Sequence, residues 1–160
     1  MKAWLPTTAA ALLAVLAAVA AAAEKEEAAF KVVPIGTVER EAGKTYLVVH
    51  EKLAEGLLGL DGFSHVVVLY WFDRNDTEQQ SRILQVHPKG DPKNPLTGVF
   101  ATRSPVRPNL IGLSVCKIVA IEKNKVQVEQ IDAFDHTPLV DLKPFIPPDN
   151  PTQDVRVRKD

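Results

Sequence analysis

Two arginines set the first chemical question. Arg103 and Arg107 stand four residues apart in "GVFATRSPVRPNLIG" (98–112), with Pro105 and Pro108 beside them. A guanidinium offers a planar fork of donors to a carboxylate or phosphate. Each proline fixes its own φ and restricts the residue before it. A loop stiffened this way loses little entropy on meeting a partner. The same residues would also suit two structural arginines that bond loop carbonyls or pair with acids. Composition leaves both readings open. The acids Asp132 and Asp135 are three apart, and Asp141 follows. They could meet an amine, a ribose or a cation, or serve local turns, because aspartate readily bonds its own backbone.

Other reactive types are sparse. His50, His65, His87 and His136 lack the spacing of a metal site, and no metal is expected. His65 opens an apolar run and reads as a hydrogen-bonded structural histidine. Ser104, His65 and Asp135 have the residue types of a hydrolytic triad, but no nucleophile elbow surrounds the serine. Cys116 is the one cysteine, so no disulfide can form within the chain. Its apolar setting, "IGLSVCKIVAI", suggests a buried small hydrophobe. No glycine-rich phosphate loop is present, which argues against a doubly wound nucleotide-binding domain.

The elements that must position these residues read as short strands between turn signals. "KVVPIGTVER" predicts a strand, with Pro34 at an edge or early position. "EAGK" predicts a turn and "TYLVVH" a second strand. "EKLAEGLLGL" predicts a short helix weakened by Gly56. "FSHVVVLYWF" is apolar at almost every position, which predicts a strand buried on both faces. Asn75 or Asp76 is placed to cap one helical turn. "ILQVHP" and "GVFAT" predict further strands. "IGLSVCKIVAIEK" and "KVQVEQIDAF" predict a hairpin around "KNK", with a bulge near Gln130. "TPLVDLKPFIPP" predicts a last strand. The pattern argues for an all-β fold, a single closed barrel or meander with one or two short helices.

Residues 1–23 carry one charge, Lys2, then an alanine-rich apolar stretch ending in Ala21-Ala22-Ala23. That is the form of a secretory signal peptide, and it predicts a periplasmic or secreted protein with no stable membrane insertion after cleavage. An uncleaved anchor and a misassigned start, the latter implying a cytoplasmic protein, are the rival readings. Residues 24–30 read as a solvated lead-in, 31–149 as the barrel domain and 150–160 as a loose tail. The chain of 160 residues has net charge −1. Without residues 1–23 it has 18 basic residues against 20 acidic, which does not suit general nucleic-acid binding. A local patch is possible: His87–Asn109 holds Lys89, Lys93, Arg103 and Arg107 against one acid, Asp91.

Three stretches go beyond generic reading. "GLDGFSHVVVLYWF" (59–72), "GVFATRSPVRPNLIGLS" (98–114) and "IDAFDHTPLVDLKPFIP" (131–147) occur in this order. Together they resemble the TsaA-like family, whose best-known members are TrmO-type tRNA methyltransferases. The resemblance implies a non-Rossmann β-barrel that binds S-adenosyl-L-methionine, usually as a homodimer with the cofactor near the subunit boundary. It implies methylation of N6 of threonylcarbamoyladenosine beside the anticodon of a tRNA. Carried over by motif, the cofactor contacts are Asp73, Arg74, Arg103, Leu113 and the run Asp132, Ala133, Phe134 and Asp135. Arg107, Asn109, His136 and Lys143 are candidates for substrate or loop roles. The resemblance assigns no base for the adenine N6.

The chain also departs from that family. A "PRQP"-like segment after the first strand is missing, because "IGTVEREAGKTYLVV" runs almost directly into the second strand. "RPNLIG" stands for the usual "RPNPIG", and "DHTP" for "DGTP". If position 136 needs a positive φ, a histidine there is strained. These departures, with the leader, support an alternative: an exported small-ligand-binding barrel that has kept the fold and lost tRNA methylation.

Overall fold

A valine run that alternates between inside and outside needs a curved sheet to close around its inner half, and the chain supplies six strands that do so. A computed structural model describes residues 29–147. The chain divides into two units, Met1–Lys31 and Val32–Asp160. Of the first, residues 29–31 are described and are exposed, without regular secondary structure. The leader reading, most of the lead-in and the tail lie outside the described residues.

The strands of the second unit are β1 (Gly36–Glu41), β2 (Lys44–Val49), β3 (His65–Trp71), β4 (Gln85–Val86), β5 (Thr97–Gly98), β6 (Ile111–Glu122), β7 (Lys125–Val128) and β8 (Pro138–Pro144). Six of them close a barrel in the order β1-β2-β7-β6-β3-β8, and β4 and β5 form a separate pair. Every neighbouring pair is antiparallel. The mostly β, closed-barrel expectation is met. Closure removes the free sheet edges that would otherwise invite pairing with other chains. Val38, Leu47, Val66, Val68, Val126 and Leu139 are fully buried inside it.

β3 corrects one expectation. Val66, Val68 and Tyr70 point inward and are buried, whereas Val67, Leu69 and Trp71 are half-buried on the outside. They pair with Val115, Leu113 and Ile111 of β6. The run is apolar throughout because the outer surface here is apolar too, not because both faces are covered.

β6 corrects another. The irregularity lies between Ile118 and Ala120, not at Gln130. The first part of β6 pairs with β3 and the last part with β7. An extra residue bends the strand between those partners. A second irregularity lies at Leu69/Tyr70, where β3 meets Asp141 and then Leu139 of β8.

Smaller corrections follow from local chemistry. β1 begins at Gly36, after Pro34, which has no N–H for a ladder. The expected helix over 51–60 is two 3₁₀ turns, Glu51–Leu57 and Leu60–Gly62, with Gly59 at φ 83° between them. Of "GVFAT" only Gly98 belongs to a strand, the short Thr97–Gly98, and Val99–Ala101 is a 3₁₀ turn with Val99 buried. Thr77, not Asn75 or Asp76, caps the short helix α1 (Glu78–Ser81), its hydroxyl accepting from the Gln80 amide at 3.3 Å. Asp76 instead accepts from Trp71 Nε1 at 3.0 Å. Among the described residues no helix is long and apolar enough to cross a membrane.

Candidate functional site: a pinned acidic loop beside Arg103

The loop between β7 and β8 is held by an extension of β1. Regular pairing of β1 with β8 covers Gly36↔Leu139 and Thr37↔Pro138. Beyond it, the Val38 amide donates to Thr137 O at 2.9 Å and the His136 amide to Val38 O at 2.7 Å. The Arg40 amide then donates to Asp135 Oδ1 at 2.8 Å. A side-chain carboxylate thus continues the ladder where the strand leaves it. His136 sits at φ 64°. The positive φ considered for this position is present, and a non-glycine residue there carries about 1–2 kcal/mol of backbone strain.

Side chains complete the attachment. Arg40 Nη2 donates to Ala133 O at 2.8 Å and to Ile131 O at 3.3 Å. Its Nη1 reaches Thr45 Oγ1 at 3.4 Å. From β3, the Tyr70 hydroxyl donates to Asp132 O at 2.5 Å and lies 3.3 Å from Ser114 Oγ. Tyr70 is buried, and its ring lies against Gly112, its partner on β6. A Cβ on Gly112 would stand 2.3 Å from the ring. Burial raises the Tyr70 pKa, against a smaller lowering by the Ser114 bond. The phenol is therefore a neutral donor at physiological pH.

Beside this loop lies a cleft of about 640 Å³. Arg40, Thr45, Arg103, Ser114, Gln130 and Asp132 are among the residues that line it. Its volume lies within the range usual for small-molecule sites. Arg103 forms no hydrogen bond or ion pair with another described residue, and its charge acts on Tyr70. Arg107 differs. Its Nη1 faces the carbonyls of Thr102 (3.5 Å) and Ser104 (3.4 Å), which is the structural reading of a loop arginine. For Arg107 the structural reading holds, and Arg103 has no such partner among the described residues.

Among the remaining sequence candidates, Asp73 and Arg74 lie in the 3₁₀ turn Asp73–Asn75 after β3. The Arg74 guanidinium stacks on the exposed Phe134 ring, 3.9 Å from its centre, and so joins that turn to the acidic loop. Asp135 is committed to Arg40, and its Oδ2 lies 3.4 Å from His136 Nε2. Leu113 is on the outer face of β6. Asn109 is exposed, and its carbonyl accepts from the Ile111 amide. Lys143 pairs with Asp141 at 2.6 Å on β8 and is not among the residues that line the cleft. His65 bonds Ser64 Oγ and stacks edge-on to Phe145, so the structural reading of this histidine holds. No triad with Ser104 and Asp135 is assembled. Among the described residues no cluster suited to a metal is present. Cys116 is buried, as its setting predicts, and burial pushes its thiol up to about 11.

Sequence reading passed over Arg40, Thr45, Tyr70 and Ser114. Arg40 looks like a solvated strand charge in "VERE", and Tyr70 like a core residue. Their contacts with the loop span 62 to 93 positions of sequence, beyond the reach of any local pattern.

A closed antiparallel barrel with a charged cleft at the mouth of two loops defines a class of ligand-binding barrel separate from the doubly wound nucleotide-binding folds. Within that class, the chain belongs to the family described as the tRNA-methyltransferase O N-terminal domain, whose model matches residues 26–149. A probable S-adenosyl-L-methionine-binding protein of Methanocaldococcus jannaschii is 49% identical over 112 residues, covering 70% of this chain and 89% of that protein. A tRNA (adenine(37)-N6)-methyltransferase of Mus musculus is 38% identical over 104 residues, covering 65% of this chain and 23% of that protein. The fold matches a TrmO crystal structure from Pseudomonas aeruginosa with a TM-score of 0.60 and 28% identity. That match covers 81% of this chain, which spans 62% of the length of the TrmO chain.

Proposed function

We propose that the cleft binds S-adenosyl-L-methionine and that the chain is a methyltransferase acting on adenine N6 in tRNA, as its relatives' names describe. The observation that carries this is Arg103, without a partner among the described residues, lining the same cleft as Asp132. The donor set fits the cofactor's groups. Arg103 suits the methionyl carboxylate, and the Asp132 carboxylate suits the amino group or the positive sulfonium. Phe134, backed by Arg74, offers an exposed aromatic face for a base. When bound, the cofactor supplies a methyl group activated by the sulfonium. The chain's own residues then bind and orient: Arg103 and Asp132 fix the amino-acid end, and the pinned loop fixes Asp132. The span with Lys89 and Lys93 supplies positive charge for a phosphate backbone in an otherwise mildly acidic protein.

The homodimer belongs to the same proposal, and the leader belongs to the alternative, an exported barrel that has lost tRNA methylation. The outer face built by Val67, Leu69 and Trp71 with Ile111, Leu113 and Val115 supports a second copy as its cover. The form of residues 1–23 supports export. A reporter fused after Glu24 tests that part, and cytoplasmic retention contradicts it.

Transfer of labelled methyl from S-adenosyl-L-methionine to tRNA bearing threonylcarbamoyladenosine tests the activity. Label in the modified adenosine is expected. Cofactor binding without label in any tRNA supports the alternative, a small-ligand-binding barrel that has lost the reaction.

A further inference from the structure

Three consecutive carbonyls of the acidic loop each accept a side-chain hydrogen bond. Ile131 O and Ala133 O accept from Arg40, and Asp132 O, between them, accepts from Tyr70. The donors come from β1 and β3, which are not neighbours in the barrel. The amides of residues 131–135 are bonded to no acceptor among the described residues. A short loop with its carbonyls tied to the barrel keeps its amides available to a ligand. Asp132, whose carbonyl is tied, lines the cleft.

We infer that Arg40 and Tyr70 are positioning residues, which tie the 131–133 carbonyls to the barrel and so present the loop's amides and the Asp132 carboxylate to the ligand. The inference rests on the cofactor reading for its ligand, but its structural half is measurable without one. Arg40 is exposed and stands outside the buried core cluster, so circular dichroism and a melt of Arg40→Ala check that the fold is kept. Tyr70→Phe keeps the ring on Gly112 and deletes only the hydroxyl. Tyr70 is not among the residues that line the cleft, whereas Arg40 is, so for Arg40 the loop's rigidity without ligand is the deciding readout. A loop freed to sample other conformations binds in only a fraction of its states.

The test compares the full chain with Arg40→Ala, Arg40→Lys and Tyr70→Phe. Backbone relaxation of residues 131–135 is measured without ligand, and S-adenosyl-L-methionine affinity by calorimetry. In Arg40→Ala the loop amides should fall from the rigid order-parameter range, about 0.85, toward about 0.6. The cofactor Kd should rise about tenfold. Tyr70→Phe should show a smaller change in the same direction. Arg40→Lys should fall between wild type and alanine, because a single ammonium cannot match a planar fork across two carbonyls and a hydroxyl. A loop that stays rigid in both Arg40→Ala and Tyr70→Phe overturns the positioning role, even if affinity drops. Failure of the wild-type chain to bind the cofactor overturns the cofactor reading, and is recognised separately because the relaxation data stand alone.

Discussion

Single residues in this barrel divide into those that spend their polar groups on the fold and those that do not. Arg107 and Asp135 are spent, on loop carbonyls and on the Arg40 amide. Among the described residues Arg103 is not, and Asp132 spends only its carbonyl, on Tyr70. Cys116 and Tyr70 are buried neutral acids, and both pKa values are raised by burial. For the thiol the folded state holds its proton up to about pH 11, against an ordinary value of 9.0. The unfolded chain releases that proton first, so stability is fully present below pH 9 and falls as pH rises toward 11. Thermal melts should therefore show a falling Tm across that window, with a shallower fall in Cys116→Ala. An unchanged slope in the variant would remove Cys116 as a cause. The residue scale also shows what could be read in advance. Arg103 was legible because prolines and a family motif surround it. Arg40 was not, since a strand-end arginine looks the same whether it points to water or spans to a loop over 90 positions away.

At the scale of elements, the site depends on close approaches between strands. Gly112 lets the Tyr70 ring lie across β6, which brings the hydroxyl under Asp132 O. Gly112→Ala should cost about 1–3 kcal/mol through overpacking, and should also loosen the 131–135 loop. Denaturant melts check the first effect and amide relaxation the second. A variant of wild-type stability with an unchanged loop would contradict the packing. Gly36 is tighter still, since a Cβ there would meet the Val48 carbonyl oxygen at 2.0 Å, and backbone cannot rotate away. The strands were legible from β-branched runs and turn signals, to within a few residues at their ends. Where β6 bends was not, because the bend is set by its change of partner from β3 to β7 rather than by its own composition. The apolar run of β3 predicted a strand correctly and its surroundings incorrectly, because apolar composition does not tell a covered face from one left part-exposed.

For the whole molecule, the outer apolar face is the feature a single chain leaves unexplained. Ile111, Leu113 and Val115 are 37%, 43% and 45% exposed in adjacent outward positions. Light scattering should give twice the chain mass of 17.5 kDa, and Leu113→Asp should return the monomer. A monomeric wild type would contradict the dimer and leave the face for another partner. The barrel class could be read from strand spacing and missing helices, and the family from three motifs. Closure itself, and the meeting of loops 98–110 and 131–136 at one cleft, needed the pairings of strands far apart in sequence. The most direct test is calorimetric titration of S-adenosyl-L-methionine into the wild-type chain, Arg103→Ala and Arg107→Ala. Saturable binding is predicted for wild type, weakened more than about tenfold in Arg103→Ala and nearly unchanged in Arg107→Ala. No binding to wild type at millimolar cofactor, or equal affinity in Arg103→Ala, would contradict the site.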